Sequence, residues 1–240
     1  MVRNGKDRPV VLVDQAPFQV EEAYNSLRTN IQFLSADKKI KKLVITSSSP
    51  MEGKTTVTAN LGISMAKAGL KVMVISSDLR KPRLTRLLGV PMNPGLTNIL
   101  IEDMVPERVI VKSKTYGIDI IPSGPIHPNP SELLGSYKMR GLLQKFEENY
   151  DYIIMDTPPA SLMTDAAVLG QHADGVVLVV AHKRSTYDMV DGTIENLKNA
   201  GANIVGTVFT DVDMSKMRKG YNYKYKYHRY YENCKSTNNE

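Results

Sequence analysis

Short apolar runs rich in β-branched residues recur along the chain at Leu43–Thr46, Val72–Ile75, Ile118–Ile121, Tyr152–Met155, Val176–Val180 and Ile204–Phe209. Runs this short and this uniformly apolar predict strands buried on both faces. Between them the spacing predicts helices over Lys54–Ala68, closed by Gly69, over Ser131–Asn149, and over Tyr187–Ala200, closed by Gly201. Strands alternating with helices predict an α/β fold, a doubly wound and mostly parallel sheet with helices on both faces. Ahead of the first strand, apolar residues at Val20, Ala23, Tyr24, Leu27, Ile31 and Leu34 fall at helical spacing and predict a leading helix over about 18–35.

Composition narrows this picture. A chain of 240 residues with 42% hydrophobic and 23% charged residues suits one full-sized domain. We expect that domain over 1–213 and a flexible, basic, tyrosine-rich tail over 214–240. Most of the formal charge of +6 lies in the tail, where Lys216, Arg218, Lys219, Lys224, Lys226, Arg229 and Lys235 face only Glu232 and Glu240. The body is nearly neutral, which argues against a nucleic-acid-binding face, because such a face needs cations arrayed along the phosphates. Half of the 12 tyrosines also sit in the tail. Cys234, alone in the chain, excludes an internal disulfide and a cysteine-rich metal site. No apolar stretch approaches the roughly 20 residues a membrane helix needs. The expected location is the cytoplasm, with any membrane association made through a partner.

The run Leu43-Val44-Ile45-Thr46-Ser47-Ser48-Ser49-Pro50-Met51-Glu52-Gly53-Lys54-Thr55-Thr56 reads as a strand, a loop and the first turn of a helix. It matches a P-loop except at Ser48, where the strict pattern has Gly. Gly53-Lys54-Thr55 supplies close backbone approach, a cation for the β and γ phosphates, and a hydroxyl for Mg²⁺. Ser49, Pro50, Met51, Glu52, Gly53, Lys54, Thr55 and Thr56 are therefore the candidate ATP-binding residues, with loop N–H groups and the helix N-terminus around the phosphates. The alternative is a Gly-Lys-Thr triplet that merely starts a helix, with Lys54 in solvent.

Two strand ends add acids and bases. Val72-Met73-Val74-Ile75-Ser76-Ser77 leads into Asp78-Leu79-Arg80-Lys81-Pro82, where Asp78 is placed to face a metal and Arg80 the phosphate side, since ligands of open α/β sheets bind outside the carboxyl ends of the strands. A turn-capping role for Asp78 is the competing reading. Tyr152-Ile153-Ile154-Met155-Asp156 looks like a Walker B strand, with Asp156 holding Mg²⁺ directly or through water beside Thr55. The candidate catalytic set is thus Lys54, Asp78, Arg80 and Asp156, with Lys81 as an alternative to Arg80. The candidate metal set is Thr55, Asp78 and Asp156.

P-loop, Asp-x-Arg-Lys-Pro, Walker B and terminal tyrosines together resemble the cytoplasmic module of the bacterial tyrosine kinases of capsule and exopolysaccharide synthesis. The resemblance implies ATP- and Mg²⁺-dependent phosphorylation in trans of Tyr221, Tyr223, Tyr225, Tyr227, Tyr230 and Tyr231. It implies a ring-like homo-oligomer through Glu22 and Arg28, which match the family's Glu-x-x-Arg-x-x-Arg element although Asn25 does not. It further implies a separate transmembrane activator that brings the chain to the inner face of the membrane, and protein substrates in polysaccharide synthesis.

Two positions depart from the family. Where relatives carry Gly, this chain has Met51, which costs on the order of 1–2 kcal/mol if the loop needs positive φ there, and whose side chain would then crowd the phosphates. Where relatives carry an additional Asp, it has Ser76, leaving Asp78 as the remaining candidate base for the phenol proton. The expectation is slow autophosphorylation rather than none. Competing readings are a nucleotide-binding regulator without kinase activity and a partitioning-type ATPase of the same superfamily. The latter is disfavoured because Ser49 stands where its signature Lys belongs.

Overall fold

The computed structural model describes residues 16–37, 39–182 and 184–212. Strands β1 (Lys42–Ser47), β2 (Val72–Ser76), β3 (Val111–Ser113), β4 (Ile118–Ile121), β5 (Tyr152–Asp156), β6 (Gly175–Ala181) and β7 (Ile204–Thr210) form one sheet in the order β3-β4-β2-β5-β1-β6-β7. All neighbours are parallel except β3, which runs antiparallel to β4 at the edge. Helices α1 (Phe18–Asp37), α2 (Lys54–Lys67), α3 (Leu84–Leu88), α4 (Leu96–Glu102), α5 (Pro130–Leu134), α6 (Tyr137–Glu147), α7 (Asp165–Gly170) and α8 (Tyr187–Asn199) cover it.

Alternation along β1 divides the core. Leu43 and Ile45 face the layer that holds Ile31 of α1, Leu61 and Met65 of α2, and Leu84 of α3. Val44 faces the opposite layer, with Leu96 of α4, Leu134 of α5, Phe146 of α6, Leu169 of α7 and Leu197 of α8. Apart from Lys42 at the start of β1, the central strands are buried along their whole length, so their side chains read as near-continuous apolar runs without alternation.

The topology fixes where a ligand fits. From β1 the chain passes through α2 to β2, beyond β5; from β5 it passes through α7 to β6, beyond β1. These connections diverge on opposite faces of the sheet, which opens a crevice at the carboxyl ends of β1 and β5.

The expected helix over Ser131–Asn149 is two helices. Gly135 lies so close to α7 that a Cβ there would stand 2.9 Å from Val168 Cγ1. Ser136 then restarts the chain as the α6 N-cap, its Oγ accepting from the Met139 N–H. Strand β3 carried no sequence signal, being three residues long with exposed Lys112 in its middle. The leading helix starts at Phe18 as expected and runs slightly past its expected end, to Asp37.

Candidate active site

The P-loop begins at the end of β1 and closes on α2. Gly53, the α2 N-cap, has φ 91°, a left-handed conformation that lets the loop turn its following N–H groups along the helix axis. Met51 also has positive φ, 65°. The backbone demand foreseen at Met51 is therefore present in a non-glycine residue. Its side chain, however, points outward, 53% exposed, with its sulfur accepting from Arg83 NH1.

Four candidate residues converge below this loop. Lys54 is buried, and its ammonium lies 3.4 Å from Asp78 Oδ2 and 3.8 Å from Asp156 Oδ1. Thr55 Oγ1 donates to Asp156 Oδ2 at 2.8 Å. Asp156 ends β5 in register with Ile45 of β1 and Ser76 of β2, which is why these side chains meet although they come from distant parts of the chain. Burial pushes the Asp156 carboxyl up to about 6, opposed chiefly by Lys54 and the Thr55 hydroxyl. The two readings of Asp78 coexist. Its Oδ1 caps the turn after β2, accepting from the N–H groups of Arg80 and Lys81, while Oδ2 faces Lys54.

Asp156 Oδ1 is fully buried without a hydrogen-bond donor, and so are the hydroxyls of Ser76 and Ser77. Buried oxygens left open beside a hydroxyl and a carboxylate suit a hydrated divalent cation. Among the described residues no three His, Cys, Asp or Glu side chains form a metal-binding group. A cation held by Thr55 and Asp156 would thus take its other ligands from phosphate oxygens and water.

Arg80 is drawn elsewhere. Its Nε donates to Asp165 Oδ2 at 2.9 Å and its NH2 reaches Asp165 Oδ1 and Ser131 Oγ, both at 3.3 Å. The hydrogen bonds to Asp165 raise the guanidinium pKa further above its ordinary value. Asp165 is fully buried at the start of α7 and also accepts from Ser131 Oγ, so Arg80 ties the loop after β2 to α5 and α7. Sequence reasoning missed Asp165 and Ser131, because nothing in the local pattern links them to Arg80. The carboxylate of Glu52 turns into the protein toward Ser48, Ser49, Ala181 and Ser185.

On α1, Glu22 Oε1 accepts from Asn25, and Arg28 NH1 donates to the Ser64 carbonyl of α2 at 2.8 Å. Arg28 thereby serves the contact between α1 and α2 within one chain. The six tail tyrosines lie outside the described residues.

This is a P-loop nucleotide-binding α/β protein. Residues 25–204 match the family described as AAA domain. The chain is 36% identical over 209 residues to the tyrosine-protein kinase YwqD of Bacillus subtilis (strain 168), spanning 87% of this chain and 88% of that one. It is 32% identical to a putative tyrosine-protein kinase in the cps region of Klebsiella pneumoniae, over 85% of this chain but 28% of that longer protein. Its structure superposes on the kinase domain of the Escherichia coli tyrosine kinase ETK with TM-score 0.83 at 32% identity, covering 90% of this chain and 86% of that one. The chain belongs to the bacterial tyrosine-protein kinases, and its activity is that of a protein-tyrosine kinase.

Proposed function

We propose that the chain transfers the γ-phosphoryl group of ATP to the tyrosines of its own C-terminal cluster, one subunit acting on the tail of another, and so regulates a capsule or exopolysaccharide export complex. The observation that carries this reading is the buried constellation of Lys54, Thr55, Asp78 and Asp156 at the carboxyl ends of β1, β2 and β5. Thr55 Oγ1 and Asp156 would hold a magnesium ion there, which would neutralise charge on the phosphate oxygens.

In the described state Lys54 pairs with Asp78 and Asp156. Bound phosphates draw the ammonium away, and Asp78 is freed to accept a proton. The tyrosine oxygen then forms a bond to the γ phosphorus as the bond from phosphorus to the β–γ bridging oxygen breaks. The phenol proton passes to Asp78 Oδ2, and ADP departs with the electron pair. Lys54 and the loop N–H groups stabilise charge moving onto the bridging oxygen, which for a loose transition state is the main catalytic contribution. Lysines in the tail favour its approach to this acidic, nucleotide-bearing site. Each phosphate added brings about −1.5 to −2 charges, so successive modification reverses the sign of the tail and gives an assembly switch.

Support for an outside activator comes from the Klebsiella relative, in which the matching segment is 28% of a longer polypeptide. Among the described residues no helix is long and apolar enough to cross a membrane. We infer that a separate transmembrane protein supplies the anchor and completes the nucleotide site, at the cytoplasmic face. A second reading, a nucleotide-binding regulator of the same complex with little kinase activity, draws on Ser76, whose buried hydroxyl stands where the family resemblance leads us to expect a carboxylate.

Intact-mass analysis of purified protein before and after ATP and Mg²⁺, with an activator peptide present, separates the two. Phosphates mapping to Tyr221 through Tyr231 are expected, and Lys54→Met is expected to slow their addition by about 100-fold or more. ATP binding with no added mass would favour the regulator.

A further inference from the structure

Resting on the ATP-binding reading above, we propose that Glu52 is the positioning residue of the phosphate loop, setting its shape from inside the protein. Glu52 is 1% exposed, an unusual place for a carboxylate in a loop that receives anions. Its Oε2 accepts from the Ser49 N–H at 2.6 Å and from Ser48 Oγ at 2.9 Å. Its Oε1 accepts from the Ala181 N–H at 3.1 Å and from Ser185 Oγ. Its backbone carbonyl accepts from Thr210 Oγ1 at 2.7 Å. One residue thus gathers the P-loop, the end of β6, the segment leading into α8, and the end of β7.

The same network accounts for Ser48, which stands where a strict P-loop has Gly. The Ser48 hydroxyl is fully buried, donating to Glu52 and lying 2.9 Å from Ser185 Oγ. Its carbonyl accepts from Ser161 Oγ, between β5 and α7. A loop held this way from behind loses little further freedom when phosphates arrive, so the ordering cost that would weaken binding has already been met in folding. Thr210 is used in the same structure, its methyl 3.5 Å from where a Gly53 Cβ would be.

The chemistry makes a carboxylate specific here. A backbone N–H, which can only donate, faces each oxygen, Ser49 on one and Ala181 on the other. Gln has nearly the same shape, but its NH₂ must confront one of those donors whichever way the amide is turned.

Mg²⁺-ATP is titrated into wild type, Glu52→Gln, Ser185→Ala, the double variant, and Glu107→Gln as an exposed control, each checked for folding by circular dichroism. Glu52→Gln is expected to raise Kd about tenfold, and Ser185→Ala about threefold. The double variant is expected to be no weaker than Glu52→Gln alone, because both substitutions disrupt one network. In kinase assays KM for ATP should rise by a larger factor than kcat falls, which a general loss of folded protein would not produce. A folded Glu52→Gln with wild-type Kd overturns the proposal. If Glu52→Gln does not fold, Ser185→Ala decides, and an unchanged Kd overturns it equally. Wild type that binds no ATP would instead sink the ATP reading.

Discussion

At the scale of single residues, Met51 and Ser76 carry opposite consequences. Met51 holds φ 65°, which costs an L-residue about 1–2 kcal/mol, while glycine's greater freedom in the unfolded chain offsets about 0.5–1 kcal/mol. Met51→Gly is therefore expected to stabilise the chain by about 0.5–1 kcal/mol, a rise in Tm of about 2–3 °C by calorimetry. Ser76 is fully buried and in register with Asp156. Restoring a carboxylate there supplies a second proton acceptor, for which general-base catalysis contributes about 10²–10⁴-fold in favourable cases. Ser76→Asp should raise the autophosphorylation rate at least about tenfold while lowering stability by about 1–3 kcal/mol, because the new charge is desolvated. Equal turnover by wild type and this variant would remove Ser76 as the cause of slow chemistry.

At the scale of elements, the sheet is held to its covering helices by apolar contact and a few polar ties. Tyr150, just after α6, donates its hydroxyl to Asp119 Oδ2 of β4 at 2.7 Å, and its ring meets Phe146 of α6 edge-on. Burial, then the Asp119 carboxylate, pushes the phenol well above its ordinary value of 10.0. The sign follows from linkage. Above pH 10 the unfolded phenol ionises first, so the folded state retains the extra proton and stability falls as pH rises. Alkaline unfolding should thus be steeper above pH 10 in wild type than in Tyr150→Phe. At neutral pH that variant should be less stable by about 1–2 kcal/mol, since Asp119 loses its donor. Elements were legible from sequence where burial was uniform, as in β1, β5 and β6. They were not where contact decided, as at Gly135, whose packing against Val168 divides a continuous helical pattern.

For the whole molecule, α1 is the element through which we propose that subunits associate. Arg28 was read as an oligomerisation residue, yet NH1 donates to Ser64 O, Ser64 Oγ and Asn25 Oδ1, fastening α1 to α2. The ring proposal then works through α1 as a docked unit. Arg28→Ala should cost about 1–2 kcal/mol in dilute, monomeric protein, measured by urea unfolding. A side chain that acts only between subunits would leave that value unchanged and alter only the mass distribution at higher concentration.

The amino-acid sequence by itself determined the α/β class, the order of the central strands and helices along the chain, and the chemistry of the phosphate loop. These depend on local apolar runs and on residue types at short spacing. Only the tertiary structure decided that Asp78 both caps a turn and faces Lys54, that Arg80 belongs to Asp165, and that Glu52 looks inward to Ala181 and Ser185. Apart from the local turn cap of Asp78, those pairings join segments 24 to 133 residues apart, brought together by parallel strand register, which local sequence does not encode.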